Sequence, residues 1–313
     1  MFRYLREYRV ADMKEMMQNT RTPHLRSQAS LAGKTAVITG ATSGVGLSAA
    51  QELARFGGDL VLVARNERKV KQVIQELQGS FGCRAQYVIA DFKVLKEVKL
   101  ACKQIIDEVD RIDILINSAG IHSTRKRYTE DGMESVFCVN YLASFILTHR
   151  LIPKMKRQAS ARIIQVSSQG HRFNGFNVDD LNWEKRLYTG LRGYGASKTA
   201  QLLSMWEFAE RLEGTSVVIN AMHPGEVRTN IGSNNGPLYA FYHDKLLWKL
   251  LKDVKISGES IHYLAADERV AGITGKYFNL THLEKPAPHA LDRAAGAVLW
   301  KKTLEMTGLP DEV

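Results

Sequence analysis

The sequence predicts an α/β fold in which one doubly wound parallel sheet forms a single domain. Short runs dense in Val, Ile and Leu alternate with helical stretches of ten or more residues, and no repeat, low-complexity tract or Pro/Gly linker breaks the alternation. A glycine-rich turn stands between the first such run and the helix after it. Near-continuous apolar runs belong to strands covered on both faces, as in a parallel sheet between helical layers. Strict β/α alternation implies right-handed crossovers. In chain order the strands are expected at 35–39, 60–64, 86–90, 112–116, 162–167, 217–221 and, more weakly, 277–279. The clearest helices between them are expected at 44–56, 67–78, 93–109, 133–155 and 195–212.

Composition narrows the class. At 44% hydrophobic and 24% charged residues the chain is close to the globular average, which excludes disorder, fibres and collagen. Cys83, Cys102 and Cys138 are too few and too scattered for a disulfide framework or a zinc site and suggest a reducing compartment, so no metal is expected. The longest apolar candidate, 136–151, is interrupted by Asn140, Ser144, His149 and Arg150, and no membrane span is expected from it. The net charge of +10 raises the question of anionic partners. Residues 1–34 carry seven basic residues against three acids, and 1–32 read as a basic arm ahead of a domain covering 33–313. No nucleic-acid-binding motif or interleaved aromatic set accompanies the charge, so nucleic acid is not an expected partner. The arm lacks the apolar centre of a signal peptide and is richer in acids than a mitochondrial transit segment.

The ends of the strands carry the chemistry, because open α/β sheets bind ligands beyond their carboxyl ends. The first strand runs into Thr39-Gly40-Ala41-Thr42-Ser43-Gly44-Val45-Gly46 and then a helix. Gly40 allows the tight turn, Gly44 lets backbone approach a pyrophosphate, and Gly46 permits close helix–strand packing; the helix N-terminus offers N–H groups to phosphate. Cofactor binding is therefore expected from Gly40, Thr42, Ser43, Gly44, Val45 and Gly46. An acid about 20 residues on would bind a ribose 2′-OH, but Arg65 stands 19 residues after Gly46 instead. A guanidinium there pairs with a 2′-phosphate, and Arg68 and Lys69 add positive field, so NADP(H) is expected over NAD(H). The alternative is a solvated arginine opening the next helix.

Five ordered motifs resemble the short-chain dehydrogenase/reductase family, whose fold is of the Rossmann type. They are the Gly-x-x-x-Gly-x-Gly turn, Asn117-Ser118-Ala119-Gly120, Ser167-Ser168 after the fifth strand, Tyr194-x-x-x-Lys198, and Pro224-Gly225-Glu226-Val227-Arg228-Thr229. Ser118 replaces the second Asn of the family's Asn-Asn-Ala-Gly. The resemblance implies that Asp91 and Phe92 flank the adenine, that Asn117, Ala119 and Gly120 line the cofactor groove, and that Thr229 reaches the nicotinamide. It assigns Ser168 to the substrate oxygen and Asn140 to holding a water beside the lysine. Tyr194 and Lys198, four apart on a helix, share a face. An ammonium beside a phenol favours the phenolate, making Tyr194 the expected acid/base. Tyr194 and Lys198 also count among the expected cofactor contacts.

The 26-residue separation of Ser168 and Tyr194, with its insert 172–192, and a Leu-rich C-terminal stretch look like the retinol-dehydrogenase-like branch. That likeness implies a small hydrophobic alcohol or carbonyl substrate of retinoid, sterol or lipid type. A substrate lid is expected at about 230–256, where 238–252 sets Leu246, Leu247, Leu250 and Leu251 opposite Lys245, Lys249 and Lys252. Core packing and an anionic-lipid anchor are competing readings. His171 is expected as a pocket wall rather than a second base. A cytoplasmic protein is expected, with peripheral membrane contact through the arm or lid and a homodimer left open. Two other functions remain: a non-catalytic nicotinamide-binding regulator, disfavoured by the complete Asn140, Ser168, Tyr194, Lys198 set, and a sugar-nucleotide epimerase, disfavoured by the glycine spacing.

Overall fold

A computed structural model describes residues 9–172, 176–228, 231 and 251–313. Its elements run α1 (Val10–Arg21), β1 (Thr35–Thr39), α2 (Gly44–Arg55), β2 (Asp59–Ala64), α3 (Glu67–Phe81), β3 (Ala85–Ile89), α4 (Leu95–Glu108) and β4 (Ile114–Asn117). There follow α5 (Ser135–Met155), β5 (Ala161–Val166), α6 (Gly190–Arg211), β6 (Val217–His223), α7 (Lys255–Ala266), β7 (Tyr277–Asn279), β8 (His282–Leu283) and α8 (Arg293–Thr307). One sheet holds all eight strands in the order β3-β2-β1-β4-β5-β6-β7-β8, parallel apart from the β7–β8 hairpin. Chain direction across the sheet reverses between β1 and β4, and that switch opens a crevice at their carboxyl ends.

The sheet is covered on both faces, as the apolar runs require. One core joins α4, α5, α6 and α8, with Phe145, Phe208 and Trp300 in mutual aromatic contact. The other packs α2, α3 and α7 against the opposite face through residues such as Leu53, Ile74 and Ile261. α5 is long and apolar enough to cross a membrane by length and composition alone, yet 94% of its apolar window is buried here. Its apolarity serves the core.

Several boundaries differ from expectation for local reasons. β4 begins two residues late because Asp113 is used as an anchor, accepting hydrogen bonds from Thr35 N at 2.9 Å and Arg111 Nε at 2.8 Å. α6 begins five residues early because the Thr189 hydroxyl caps it, accepting from Arg192 N at 3.3 Å. Three helices were not anticipated. α7 is rich in small residues rather than leucines: a Cβ at Gly258 would stand 2.5 Å from Ser48 O, so the backbones of α7 and α2 pack almost directly. α8 is fixed by Trp300, which is buried. α1 is polar and depends on tertiary partners. Asn19 Nδ2 donates to Leu283 O at 3.0 Å, and Lys252 Nζ donates to Thr20 O at 3.1 Å. Residues 23–26 of the basic arm lie along α7 and β8, where His24 and Arg26 both pair with Glu259 and His282 bonds Pro23 O.

Beyond β6, Arg228 N donates to Lys252 O at 3.2 Å and Lys252 N to Glu226 O at 2.9 Å, so the chain leaves and re-enters at one point. Thr229 and all but the last two residues of the expected lid segment 238–252 lie outside the described residues.

Candidate active site

The crevice is built first by glycines. Gly40 has φ +68°, and a Cβ there would stand 2.8 Å from Ala119 Cα, so the turns after β1 and β4 touch. At Gly46 a Cβ would meet Gly40 O at 2.5 Å; only a hydrogen lets α2 start this close under the turn. Thr42 and Gly44 are half-buried, Ser43 is exposed, and Val45 and Gly46 are buried, so the turn faces outward while its helix faces in. Thr39, which the sequence reading treated only as a strand end, ties the two turns together. Its buried hydroxyl accepts hydrogen bonds from both Ser118 N and Ala119 N at 3.0 Å. Those bonds come from backbone, so Ser118 costs them nothing.

Arg65 follows β2 directly and is exposed, with exposed Arg68 and Lys69 on the first turn of α3. The Asn66 side chain caps that helix, accepting from Lys69 N at 2.9 Å. Asp91 sits half-buried beyond β3 with its carboxylate accepting from Lys93 N at 3.0 Å. Phe92 is buried in the core, so its loop can offer a ligand backbone rather than the ring. Asn117 is buried at the end of β4, where its Nδ2 donates to Thr148 Oγ1 at 2.9 Å; its Oδ1 has no hydrogen-bond partner among the described residues. Ala119 and Gly120 are half-buried at the crevice.

The proton-transfer groups meet next to it. The Lys198 ammonium lies 5.6 Å from the centre of the Tyr194 ring, confirming the shared helix face. Gly170 brings Ser168 to the same place: a Cβ there would be 2.8 Å from Tyr194 Cε1 and 3.4 Å from Ser168 Oγ. Gly170 N donates to Ser168 Oγ at 3.0 Å, which leaves the hydroxyl proton for another acceptor. Lys198 is buried, and burial pulls its pKa down to about 7. Asn140 is also fully buried, inside a π-helical turn (Cys138–Leu142) of α5. Such turns are frequent at functional sites. Its Oδ1 accepts from Ile121 N at 2.8 Å and its Nδ2 donates to Ser197 Oγ at 3.0 Å, fixing the loop after β4 to α6.

Two histidines complete the surroundings. His122, absent from the sequence reading, packs edge-on against Tyr194 with ring centres 5.7 Å apart. Its position two residues past Gly120 was the available signal. His171 is not a pocket wall. It is wholly buried, its Nδ1 bonds Ser168 O at 2.6 Å, and its Nε2 accepts from Ala287 N at 3.1 Å. Burial drives its pKa well below the usual value, so it braces the Ser168 turn as a neutral ring. The insert after this turn is held by Trp183, buried beneath the Arg186 guanidinium, and by Tyr188 OH, which donates to Ser123 O at 3.3 Å.

A dinucleotide crevice at the β1/β4 switch, with a tyrosine, a lysine and a serine gathered beside it, defines an oxidoreductase that uses a nicotinamide cofactor on alcohols and carbonyls. Comparison with known proteins agrees: the family model for short chain dehydrogenases matches residues 34–237. The chain belongs to the short-chain dehydrogenase family, in its retinol-dehydrogenase-like branch. It is 37% identical to retinol dehydrogenase 13 of Homo sapiens over 290 residues, covering 90% of this chain and 87% of that protein. Identity to retinol dehydrogenase 14 of Mus musculus is 36%, covering 88% and 86%. Among solved structures, an uncharacterized protein from Mycobacterium Paratuberculosis superposes with a TM-score of 0.74 at 28% identity, covering 91% of this chain and 97% of that one. A short chain dehydrogenase from Shigella flexneri, complexed with NADP, shares the fold at a TM-score of 0.66 and 23% identity, covering 81% and 99%.

Proposed function

We propose that this protein is an NADP(H)-dependent oxidoreductase that interconverts an alcohol and a carbonyl on a hydrophobic substrate of retinoid, sterol or lipid-aldehyde type. The observation that carries it is the meeting of the Tyr194 ring and the Ser168 hydroxyl at Gly170, with the Lys198 ammonium 5.6 Å from the centre of that ring and close to Gly120 in the loop after β4. The cofactor fits the residues present, because the Gly40–Gly46 turn is kept free of side chains where a Cβ would strike backbone. Gly40, Thr42, Ser43, Gly44, Val45 and Gly46 would hold the pyrophosphate, Arg65 the 2′-phosphate, and the loops at Asp91–Phe92 and Asn117–Gly120 the rest, with Thr229 at the nicotinamide. When bound, the nicotinamide supplies the hydride exchange.

The chain's own residues manage the proton. Ser168 donates its hydroxyl hydrogen to the substrate oxygen, and a positioned donor of this kind is worth roughly 3 kcal/mol as charge develops. Tyr194 gives its phenolic proton to that oxygen in reduction and takes one in oxidation. Lys198 stabilises the phenolate and so brings Tyr194 towards working pH. Anionic phosphates in the crevice favour the charged lysine and oppose the effect of its burial. Asn140 supports this relay from behind the lysine. We place the protein in the cytoplasm with the arm as a peripheral membrane contact: Val10, Met13 and Met17 are 70%, 50% and 48% exposed on α1, beside Lys14 and Arg21.

Incubation with NADPH and a panel of long and short aldehydes and ketones tests the reading. Cofactor oxidation with preference for long apolar substrates is expected. Tight NADPH binding without turnover on any carbonyl would favour the regulator instead.

A further inference from the structure

We propose that Gln201 is a positioning residue of the proton-transfer site, its amide bridging the Lys198 ammonium to the main-chain carbonyl of Asn140. Lys198 Nζ donates to Val166 O at 2.8 Å and to Gln201 Oε1 at 2.9 Å. Gln201 Nε2 in turn donates to Asn140 O at 2.7 Å. Lys198, Gln201 and Asn140 are all buried, at 3%, 1% and 0% exposure, so bulk water does not compete for these bonds. The amide can sit only one way round. An ammonium has only protons to offer and a carbonyl only lone pairs, so Oε1 must face the lysine and Nε2 the backbone.

Two features of the fold make the bridge. Gln201 follows Lys198 by three residues on α6, which puts both side chains on one face. The π turn in α5 presents the Asn140 carbonyl to side chains, and it accepts from Ser144 Oγ at 3.0 Å as well as from Gln201. The family resemblance places a water, held by Asn140, beside the lysine; in this chain a side chain links the lysine to Asn140. A neutral amide accepts from and donates to its two partners but does not titrate, so Asn140 acts on Lys198 through a fixed dipole. Losing it removes an acceptor from a desolvated cation and makes the lysine easier to deprotonate. That weakens its hold on the Tyr194 phenolate.

Among the described residues, the surroundings contain little else that titrates. Tyr194 on α6 is the titratable neighbour, while β5 presents the Val166 carbonyl, α5 presents Asn140, and the loop after β4 presents Gly120, whose Cβ would lie 3.9 Å from Lys198 Nζ. Burial is what depresses the lysine.

This inference rests on the acid–base reading of Tyr194 and Lys198. Its test compares the whole protein with its Gln201→Leu and Gln201→Ala variants. Three readouts are followed: kcat for alcohol oxidation against pH, the NMR titration of the Lys198 Cε carbon in carbon-13-labelled protein, assigned with Lys198→Met, and the melting temperature. Gln201→Leu keeps the volume and deletes both bonds. It should lower the lysine midpoint and move the rising kcat profile about one pH unit towards alkali, a loss of about tenfold at neutral pH. Gln201→Ala leaves room for a water to make both bonds, so its displacement should be clearly smaller. Profiles and midpoints that coincide with the unmutated protein in both variants would overturn the proposal. So would an equal, pH-independent loss of kcat with equal loss of melting temperature in both, which marks plain packing. If the unmutated protein turns over no substrate, the acid–base reading fails, and the Lys198 titration alone still decides the role of Gln201.

Discussion

Replacing Gly46 by Ala adds one methyl group at the place where the turn and α2 come closest. The new carbon would stand 2.5 Å from Gly40 O, 2.8 Å from Gly40 C and 3.1 Å from Thr39 O. A carbon and a carbonyl oxygen normally stay about 3.3 Å apart, so turn and helix must separate by roughly 0.8 Å. All three obstructing atoms are backbone, and no side chain can swing aside. Overpacking of this kind costs about 1–3 kcal/mol. Much of it falls on the turn whose N–H groups are assigned to the pyrophosphate. Two assays read the result: NADPH titration by fluorescence, and thermal melting without cofactor. Affinity for NADPH should fall at least tenfold, about 1.4 kcal/mol, with the melting temperature lower by about 2–5 °C. Gly79→Ala is the control, because it lies within α3 with nothing within 4 Å of its added carbon. It should leave cofactor binding alone and stabilise the protein by about 0.5–1 kcal/mol. Unchanged NADPH affinity and melting temperature in Gly46→Ala would refute the close-approach argument.

Three further outcomes are expected. Arg65→Asp should reverse a preference for NADPH over NADH that is at least tenfold, about 1.4 kcal/mol, in the unmutated protein; equal dissociation constants for the two cofactors before mutation would remove the 2′-phosphate assignment. Tyr194→Phe should bind NADPH normally while kcat collapses, and turnover above a few per cent would mean that the proton takes another path. Lys198, held near pKa 7 when folded against 10.5 ordinarily, binds its extra proton in the unfolded chain between those values. Stability of the cofactor-free protein should therefore rise as pH climbs from about 7 towards 10, and Lys198→Met should flatten that rise. Urea unfolding at two pH values, in both proteins, checks the sign; an identical slope in the variant would contradict it.

Much of this molecule is written locally. The alternation of β-rich runs with longer helices fixes a doubly wound sheet because a parallel strand buried on both faces must be apolar at nearly every position. Gly40–Gly46 announce themselves because only glycine meets the steric demand of the turn, and Tyr194 and Lys198 because four residues on a helix put them on one face. What the pattern does not carry is any element whose reason lies elsewhere in the chain. α7 has no leucine stripe, since Gly258 and its small neighbours answer to Ser48 on α2. α1 needs Leu283 and Lys252 to hold it. The same division runs through the site. Residue type and spacing named Tyr194 and Lys198, and the family resemblance named Ser168 and Asn140, but folding decided that Gly170 brings serine and tyrosine together and that Thr39 ties two turns. It also decided that His171 is a buried neutral brace and that a glutamine amide stands between the lysine and Asn140. A sequence records what each residue can do within a few positions along the chain. Contacts made between distant segments depend on how helices and strands pack, and only the tertiary structure determines those distances.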